Sequence, residues 1–162
     1  MSVRAAVGSL AFFVLAPGST AGLVPWLVTG WHSDAPVWAT AVGGVVVVAG
    51  TALVVAAFVQ FVVEGRGTPA PVAPTEELVV GGLYRWVRNP MYVGVAAAIA
   101  GQALLFTSWG VAAWLVVFVA AVTTFVRLYE EPTLRRTYGT SYDAYTAAVR
   151  RWLPRVRPWR GA

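Results

Sequence analysis

Two polar patches contain the residues of this chain best suited to chemistry. The first carries Arg88, Asn89 and Tyr92 within five positions, and the second is the adjacent pair Glu130 and Glu131. Arginine binds carboxylates and phosphates, whereas glutamate attracts cations and accepts hydrogen bonds from hydroxyl groups. Together the patches suit a ligand that carries both a negative and a positive group.

The first patch is predicted to lie at the start of a helix. Pro90 suits the first helical turn, where its missing N–H group costs little. Asn89 then occupies the capping position. If the whole segment is helical, Arg85, Arg88 and Tyr92 share one face, because they are spaced three and four residues apart. The alternative remains open that Asn89 only caps the helix and the arginines only reach lipid phosphates.

The second patch is predicted to close an apolar helix at its carboxyl end. Acidic side chains there oppose the helix dipole, so a compensating positive group is expected nearby. Arg88, Arg127 or a cationic ligand can supply it. Glu130 and Glu131 are also the candidate general bases, because the chain lacks lysine and its one histidine, His32, is predicted to lie across the membrane.

The composition indicates a chain that sits in lipid. Of its 162 residues 58% are hydrophobic, against about 45–50% in soluble domains. The absence of cysteine excludes disulfides and thiolate sites, and with one histidine no metal site is expected. The net charge of +5 comes entirely from arginines whose placement follows membrane topology, so no nucleic-acid partner is expected.

Four apolar stretches predict an all-α fold with four transmembrane helices. The second and fourth exceed the roughly 20 residues that cross a bilayer, and the third pairs with the fourth as a helical hairpin. Pro17 predicts a kink in the first stretch, for which a secretory signal is the alternative. The predicted spans cover residues 3–31, 37–63, 91–106 and 109–128.

The arginines predict the orientation. With four spans every arginine falls on one side, which the positive-inside rule makes cytoplasmic. We therefore expect a multi-pass protein of the inner, cytoplasmic membrane with both termini inside. The chain is expected to form one domain, 1–162. Its parts are two N-terminal spans (1–63), a cytoplasmic connector with extended proline-rich structure (64–90), the helical hairpin (91–129) and a cytoplasmic helical cap (130–162).

Residues 133–152 are predicted to be helical but too polar to span, with Gly139 dividing them into two pieces. Two interpretations remain open. One is an interfacial helix anchored by aromatic side chains and anionic lipid, and the other is a lid whose tyrosines pack over a cofactor. Apolar residues recur every three or four positions on one face: Leu134, Tyr138, Tyr142, Tyr145, Val149 and Trp152.

The order and spacing of these residues resemble the superfamily of isoprenylcysteine carboxyl methyltransferases and phospholipid methyltransferases, which are integral membrane enzymes. The resemblance covers roughly the carboxyl-terminal half, and the first two spans match only in being apolar. The matching residues are Gly82-Leu83-Tyr84, Arg88-Asn89-Pro90, Tyr92, Gly94, Glu130-Glu131, Leu134, Tyr138-Gly139, Tyr142, Tyr145 and Arg151-Trp152-Leu153-Pro154.

The resemblance implies S-adenosylmethionine as methyl donor and S-adenosylhomocysteine as product, bound in part by the tail 130–162. Asn89 stands where the carboxyl methyltransferase branch usually has histidine, which indicates the bacterial, phospholipid-like branch. The implied catalytic residues are Arg88, Asn89, Tyr92 and Glu130. The implied cofactor contacts are Gly82, Leu83, Tyr84, Arg88, Asn89, Tyr92, Glu130, Glu131, Tyr142 and Tyr145.

We therefore expect a methyltransferase that acts on a lipophilic small molecule or lipid at the cytoplasmic membrane face. Its partners would be membrane lipids and the lipophilic acceptor. Two alternatives remain. One is an NADPH-dependent membrane reductase of related architecture, and the other is a non-enzymatic membrane scaffold whose arginine tail binds anionic lipid.

Overall fold

The computed structural model describes residues 15–65 and 78–160, and within these ranges the regular elements are all helical. This agrees with the predicted all-α class. A π-helix, Ser19–Leu23, and a 3-10 helix, Gly82–Arg85, precede α1 and α3, and a second π-helix, Val126–Glu130, follows α4. The α-helices are α1 (Val24–Thr29), α2 (Val37–Gly65), α3 (Pro90–Leu105), α4 (Trp109–Phe125), α5 (Glu131–Tyr138) and α6 (Thr140–Ala148).

Two of the described helices are long and apolar enough to cross a membrane. They are Val37–Phe61 within α2, and Trp109–Tyr138, in which α4, the second π-helix and α5 run on continuously. α3 is apolar but has 16 residues, so it rises only about 24 Å. The first predicted span begins outside the described residues. Arg4, Arg66 and the connector prolines Pro69, Pro71 and Pro74 also lie outside them.

α2 and α3 pack together along a seam of glycines. A Cβ atom added at Gly43 would lie 2.6 Å from the Gly101 carbonyl oxygen, and one at Gly101 would lie 2.7 Å from that of Gly43. Gly50 and Gly94 form a second reciprocal pair, at 2.7 and 2.8 Å. The pairs lie two turns apart and in opposite order along the two helices, so the helices are antiparallel. Such close approach lets backbones pack where lipid supplies no hydrophobic driving force.

α3 and α4 form an antiparallel hairpin through the short loop 106–108. Thr107 adopts a positive φ of 47° in this loop. Ser108 caps α4 by accepting a hydrogen bond from the Val111 N–H at 3.3 Å. The buried core beside the hairpin takes residues from α2, α3 and α4: Val54, Val95, Ile99, Val111 and Phe118.

The described chain begins with one continuous helix over residues 15–29, which we call the first helix and which includes α1. It changes to a π-helix soon after Pro17, where the sequence predicts a kink. Carbonyls of this wider turn accept side-chain hydrogen bonds from the hairpin. Gln102 Nε2 donates to the Ala21 oxygen at 2.7 Å, and Trp114 Nε1 donates to the Thr20 oxygen at 2.8 Å. These bonds fix the first helix against α3 and α4.

The two ends of the helix bundle differ in charge. The loop 30–36 and the hairpin loop 106–108 lie together, because Ser33 Oγ donates to the Leu105 oxygen at 2.6 Å. Neither loop contains arginine, and His32 is exposed in the first one. The arginines among residues 85–88 and 150–160 belong to segments at the opposite end.

Candidate functional site

A cavity of about 430 Å³ lies at the arginine-bearing end of the bundle. The first helix, the 3-10 helix, the start of α3, the helix Trp109–Tyr138 and α6 all contribute to its walls. Gly82 and Leu83 are absent from the lining, and so is His32. Eight of the ten predicted cofactor contacts line the cavity: Tyr84, Arg88, Asn89, Tyr92, Glu130, Glu131, Tyr142 and Tyr145.

Glu130 and Glu131 lie within the continuous helix Trp109–Tyr138. The prediction that they close a helix at its carboxyl end is therefore wrong, and so is the dipole argument that followed from it. The hydropathy falls after Leu128, but the backbone stays helical by widening into a π-turn before Pro132. Proline has no N–H group for the ordinary helical bond, and π-turns often occur at functional sites.

Glu131 is held by two arginines. Arg151 binds it in a bidentate arrangement, with Nε 2.7 Å from Oε1 and Nη2 2.8 Å from Oε2. Arg88 Nη1 lies 3.2 Å from Oε1. Of the two arginines that the sequence offered as partners, Arg88 pairs with Glu131, although not at a helix end, whereas Arg127 forms no ion pair within the described parts of the chain. The hydrogen bond to Glu131 raises the pKa of the Arg151 guanidinium, which strengthens its positive state.

Arg151 is the residue of this cluster that sequence reasoning missed. Arg151 belongs to the stretch Arg151-Trp152-Leu153-Pro154, which matches the family pattern, but it was not assigned a role. Spacing did not reveal the partner, because Glu131 lies twenty residues earlier. The pair forms only because the chain turns back after α5.

Glu130 has different surroundings from its neighbour. Tyr92 Oη donates to Glu130 Oε2 at 3.1 Å, so α3 and the long helix are joined across the cavity. No ion pair involves Glu130 among residues 15–65 and 78–160. One glutamate is therefore neutralised by arginines, while the other lines the cavity without a paired cation.

Asn89 lies at the cap position of α3, but its side chain does not cap the helix. Instead Asn89 Nδ2 donates to the Arg151 carbonyl at 3.1 Å, and the Arg88 N–H donates to the Arg150 carbonyl at 2.9 Å. The predicted side-chain cap is therefore wrong: the Asn89 amide donates to the tail, and its oxygen accepts no N–H of the first helical turn. These bonds fix the tail against the first patch.

Arg85, Arg88 and Tyr92 do not share one helical face. The 3-10 helix ends at Arg85 and α3 begins at Pro90, so the segment between them is not helical. Arg85 Nε donates to the Trp159 carbonyl, and Arg85 does not line the cavity. Arg88 and Tyr92 nevertheless both line the cavity.

Arg88 has a donor that the described residues leave unused. Its side chain is only 12% exposed, and its Nε atom is buried with no hydrogen-bond partner among those residues. A buried N–H group without a partner costs about 1–3 kcal/mol. An acceptor atom of a bound molecule would remove that cost.

The tyrosines of the tail form a buried cluster against the cavity. Tyr142, Tyr145 and Val149 are buried, with Leu134 and Tyr138 packed on them. Tyr145 Oη donates to the Tyr84 carbonyl at 2.7 Å. Burial raises the pKa of the Tyr142 phenol to about 12 and raises the pKa of Tyr145 as well. Both phenols therefore stay neutral at physiological pH.

Gly139 separates α5 from α6, as the sequence predicts. Its backbone has a φ of 52° and a ψ of −127°, a combination that glycine adopts readily. The predicted helix to residue 152 ends earlier, at Ala148. Trp152 consequently lies near Tyr92, with ring centroids 6.5 Å apart, rather than in the tyrosine cluster.

A comparison of the sequence with models of protein families gives a match. The phospholipid methyltransferase family model matches residues 38–141. The match includes both polar patches and ends just before Tyr142. A search of curated proteins gives no match.

Proposed function

Because the chain belongs to the phospholipid methyltransferase family, we propose that it transfers a methyl group from S-adenosylmethionine to a lipophilic small molecule or lipid. The family itself implies a membrane methyltransferase. One observation carries the choice of donor. The same cavity is lined by Arg88, with its unpartnered buried Nε, and by Glu130, which has no paired cation within the described ranges.

The cavity residues fit the proposed cofactor, a zwitterion with a sulfonium centre. Arg88 Nε would bind its carboxylate. Glu130 would accept hydrogen bonds from its ammonium group or ribose hydroxyls. Leu134 and Tyr138 offer apolar walls for an aromatic base. Asn89 in place of histidine supports the phospholipid-like branch.

When bound, S-adenosylmethionine would supply an electrophilic methyl group, which an acceptor nucleophile would attack in line as the carbon–sulfur bond breaks and S-adenosylhomocysteine leaves. The residues of this chain contribute positioning and exclusion of water, which can provide much of the rate increase. Glu131, held by Arg151, keeps Arg88 at the cavity. Apolar side chains line the wall contributed by α3 and α4, including Val95 and Phe118.

Glu130 is the proposed general base. Glu131 is occupied by two arginines, so it binds a proton poorly, whereas Glu130 accepts a hydrogen bond from the Tyr92 hydroxyl and forms no ion pair with a described residue. An amine acceptor would lose its proton to a Glu130 oxygen. A carboxylate or thiolate acceptor would need no base. Loss of Glu130 therefore separates these classes of acceptor.

We further propose the topology in which the reaction takes place. The first helix, α2, α3 and α4 would form four spans, with the arginine-bearing end in the cytoplasm and the tail as a cytoplasmic cap. The segregation of arginines from the loops 30–36 and 106–108 supports this orientation. The cofactor would enter from the cytoplasm and the acceptor from the bilayer.

Ligand-dependent thermal stability tests the cofactor class. A ligand present at 100 times its dissociation constant stabilises a protein by about 2.7 kcal/mol. We expect S-adenosylhomocysteine to raise the melting temperature of the detergent-solubilised protein, and NADPH to leave it unchanged. Stabilisation by NADPH alone would favour the reductase, and stabilisation by neither would favour the scaffold.

A labelling experiment tests the reaction itself. The purified protein is incubated with a membrane lipid extract and S-adenosylmethionine that carries a labelled methyl group. We expect label in an organic-soluble product, whose structure identifies the acceptor. A Glu130→Gln preparation serves as the control, and equal labelling in both would remove the proposed base from the mechanism.

A further inference from the structure

The segment 150–160, which we call the tail segment, has two sides with different chemistry. It follows α6 and has no helical structure. One set of its side chains turns to the protein, and the other set is exposed. We call the exposed arginine, leucine and valine side chains the outer side, which comprises Arg150, Leu153, Val156, Arg157 and Arg160.

The protein-facing side binds the tail segment to the cavity walls. Arg151 pairs with Glu131, and the Arg155 N–H donates to the Trp86 carbonyl at 2.9 Å. The Trp159 N–H donates to the Arg85 carbonyl, also at 2.9 Å. These bonds fix the tail segment at both ends, so its outer side has a defined orientation.

The outer side combines unpaired arginines with apolar side chains that extend into solvent. Leu153 is 65% exposed and Val156 is 94% exposed. Arg150, Arg157 and Arg160 form no ion pair with any described residue. The chain has no acidic residue after Asp143. A merely solvated basic tail has no need of two exposed aliphatic side chains between its arginines.

We propose that the outer side is a docking surface for the anionic phospholipids of the adjacent membrane leaflet. Guanidinium groups bind phosphate in a bidentate manner, while exposed aliphatic side chains enter the boundary between headgroups and acyl chains. Each arginine near an anionic surface contributes about a fivefold increase in binding. The charge of the outer side and its two apolar residues are complementary to that surface.

Docking also orders the cavity. The backbone that carries Arg150 and Arg151 accepts hydrogen bonds from the Arg88 N–H and from Asn89 Nδ2. Holding the outer side on the membrane therefore holds the first polar patch and Glu131 in place. Anionic lipid would then increase the affinity for S-adenosylhomocysteine, a consequence that rests on the proposed function, whereas lipid docking itself does not.

Hydrogen exchange in nanodiscs tests the docking. The full chain is placed in discs of phosphatidylcholine or of equimolar phosphatidylcholine and phosphatidylglycerol, and exchange of the tail-segment amides is measured. We expect slower exchange with phosphatidylglycerol at low salt, and a smaller difference at high salt because ions screen the attraction. Titrating the phosphatidylglycerol fraction gives the fraction at which protection of the tail-segment amides is half-maximal.

Two substitutions and a matched control locate the surface. Arg157→Gln is expected to weaken the lipid effect about fivefold, and Val156→Ser is expected to weaken it too. Arg136→Gln removes the same charge from an exposed position on α5, and it should leave the effect unchanged. Equal losses for Arg157→Gln and Arg136→Gln would overturn the assignment, because net charge alone would then explain the effect.

Two further outcomes would also overturn it. One is identical tail exchange in both kinds of disc. The other is the same protection produced by inorganic phosphate in phosphatidylcholine discs, which would show an ion site rather than a membrane surface. Lipid-dependent protection without S-adenosylhomocysteine binding would support the docking surface and contradict the proposed cofactor, so the two failures are distinguishable.

Discussion

At the scale of residues, adjacent glutamates on one helix have separate surroundings. Glu131 is neutralised by Arg88 and Arg151, and Glu130 accepts a hydrogen bond from Tyr92 at the cavity. Their neighbouring positions gave no means of telling them apart. The partners come from the start of α3 and from the tail, so the distinction depends on how those segments reach the long helix.

Isosteric substitutions should separate the two glutamates. Glu130→Gln should leave the melting temperature nearly unchanged and lower the rate with an amine acceptor by about 100-fold or more, since it removes the base. Glu131→Gln should destabilise the protein by about 2 kcal/mol, below the 3–5 kcal/mol of fully buried pairs, because both arginines retain some exposure. Thermal unfolding and initial rates are the measurements. The same phenotype for both variants would contradict the separate roles.

Arg88→Lys tests the unused donor of Arg88. Lysine keeps the positive charge near Glu131 but cannot reproduce a guanidinium Nε donor. We expect affinity for S-adenosylhomocysteine to fall about 10- to 100-fold, as for the loss of a charge-assisted hydrogen bond. Isothermal titration calorimetry measures the change, and Arg127→Lys, at an exposed residue outside the cavity lining, is the control. Unaltered affinity in Arg88→Lys would remove Nε from the site.

At the scale of elements, the glycine seam fixes α3 against α2. Tyr92 and Gly94 share the first turns of α3, so the seam holds against α2 the same part of α3 that carries Tyr92. The glycines were visible in the sequence, but their pairing was not. It requires the antiparallel register in which Gly43 meets Gly101 and Gly50 meets Gly94.

Two alanine substitutions on α2 test the seam. In Gly50→Ala the new Cβ would lie 2.6 Å from the Ala98 backbone nitrogen, so the helices must separate. We expect a destabilisation of about 1–3 kcal/mol, typical of overpacking. Gly44→Ala meets no atom within 4 Å, and it should be neutral or slightly stabilising. Thermal unfolding in detergent compares the two, and equal melting temperatures would contradict tight packing at Gly50.

The long helix illustrates how an element can extend past its apolar residues. Composition marks the apolar stretch to Leu128, and the prediction ended the span there. The structure continues the helix to Tyr138 through a π-turn. Composition reports which part suits lipid, whereas backbone hydrogen bonds decide where the helix ends. Glu130 and Glu131 consequently project from a rigid helix instead of a frayed end.

At the scale of the whole molecule, the arginines of the described tail segment and of residues 85–88 lie at one end, and the cavity lies at that end. The proposed orientation makes this end cytoplasmic. Because the chain has no cysteine, single cysteines can report the topology without background. Ser33 in the loop 30–36 and Thr140 at the start of α6 are both exposed.

An impermeant maleimide should label Ser33→Cys in intact cells and label Thr140→Cys only after the membrane is opened. The expected difference follows from the positive-inside rule. Gel shift or mass spectrometry gives the extent of labelling. Reversed labelling would invert the topology, and labelling of both in intact cells would contradict the four-span arrangement.

The sequence by itself determined the features that depend on residue type and local spacing. Apolar content marked the long helices, Pro90 marked the start of α3, and Gly139 marked the corner before α6. Most of the predicted cofactor contacts do line one cavity. The functional roles of Arg88, Asn89, Tyr92 and Glu130 stay predictions, which the substitutions above test.

Only the tertiary structure decided which polar group meets which. Arg151 reaches Glu131, and Asn89 turns from its own helix to the Arg151 carbonyl. The physical reason is that helix propensity and hydropathy act over neighbouring residues, whereas a hydrogen-bond partner depends on the path of the whole chain. The return of the tail after Gly139 brings its carbonyls and guanidinium groups to the start of α3, and that return is set by packing.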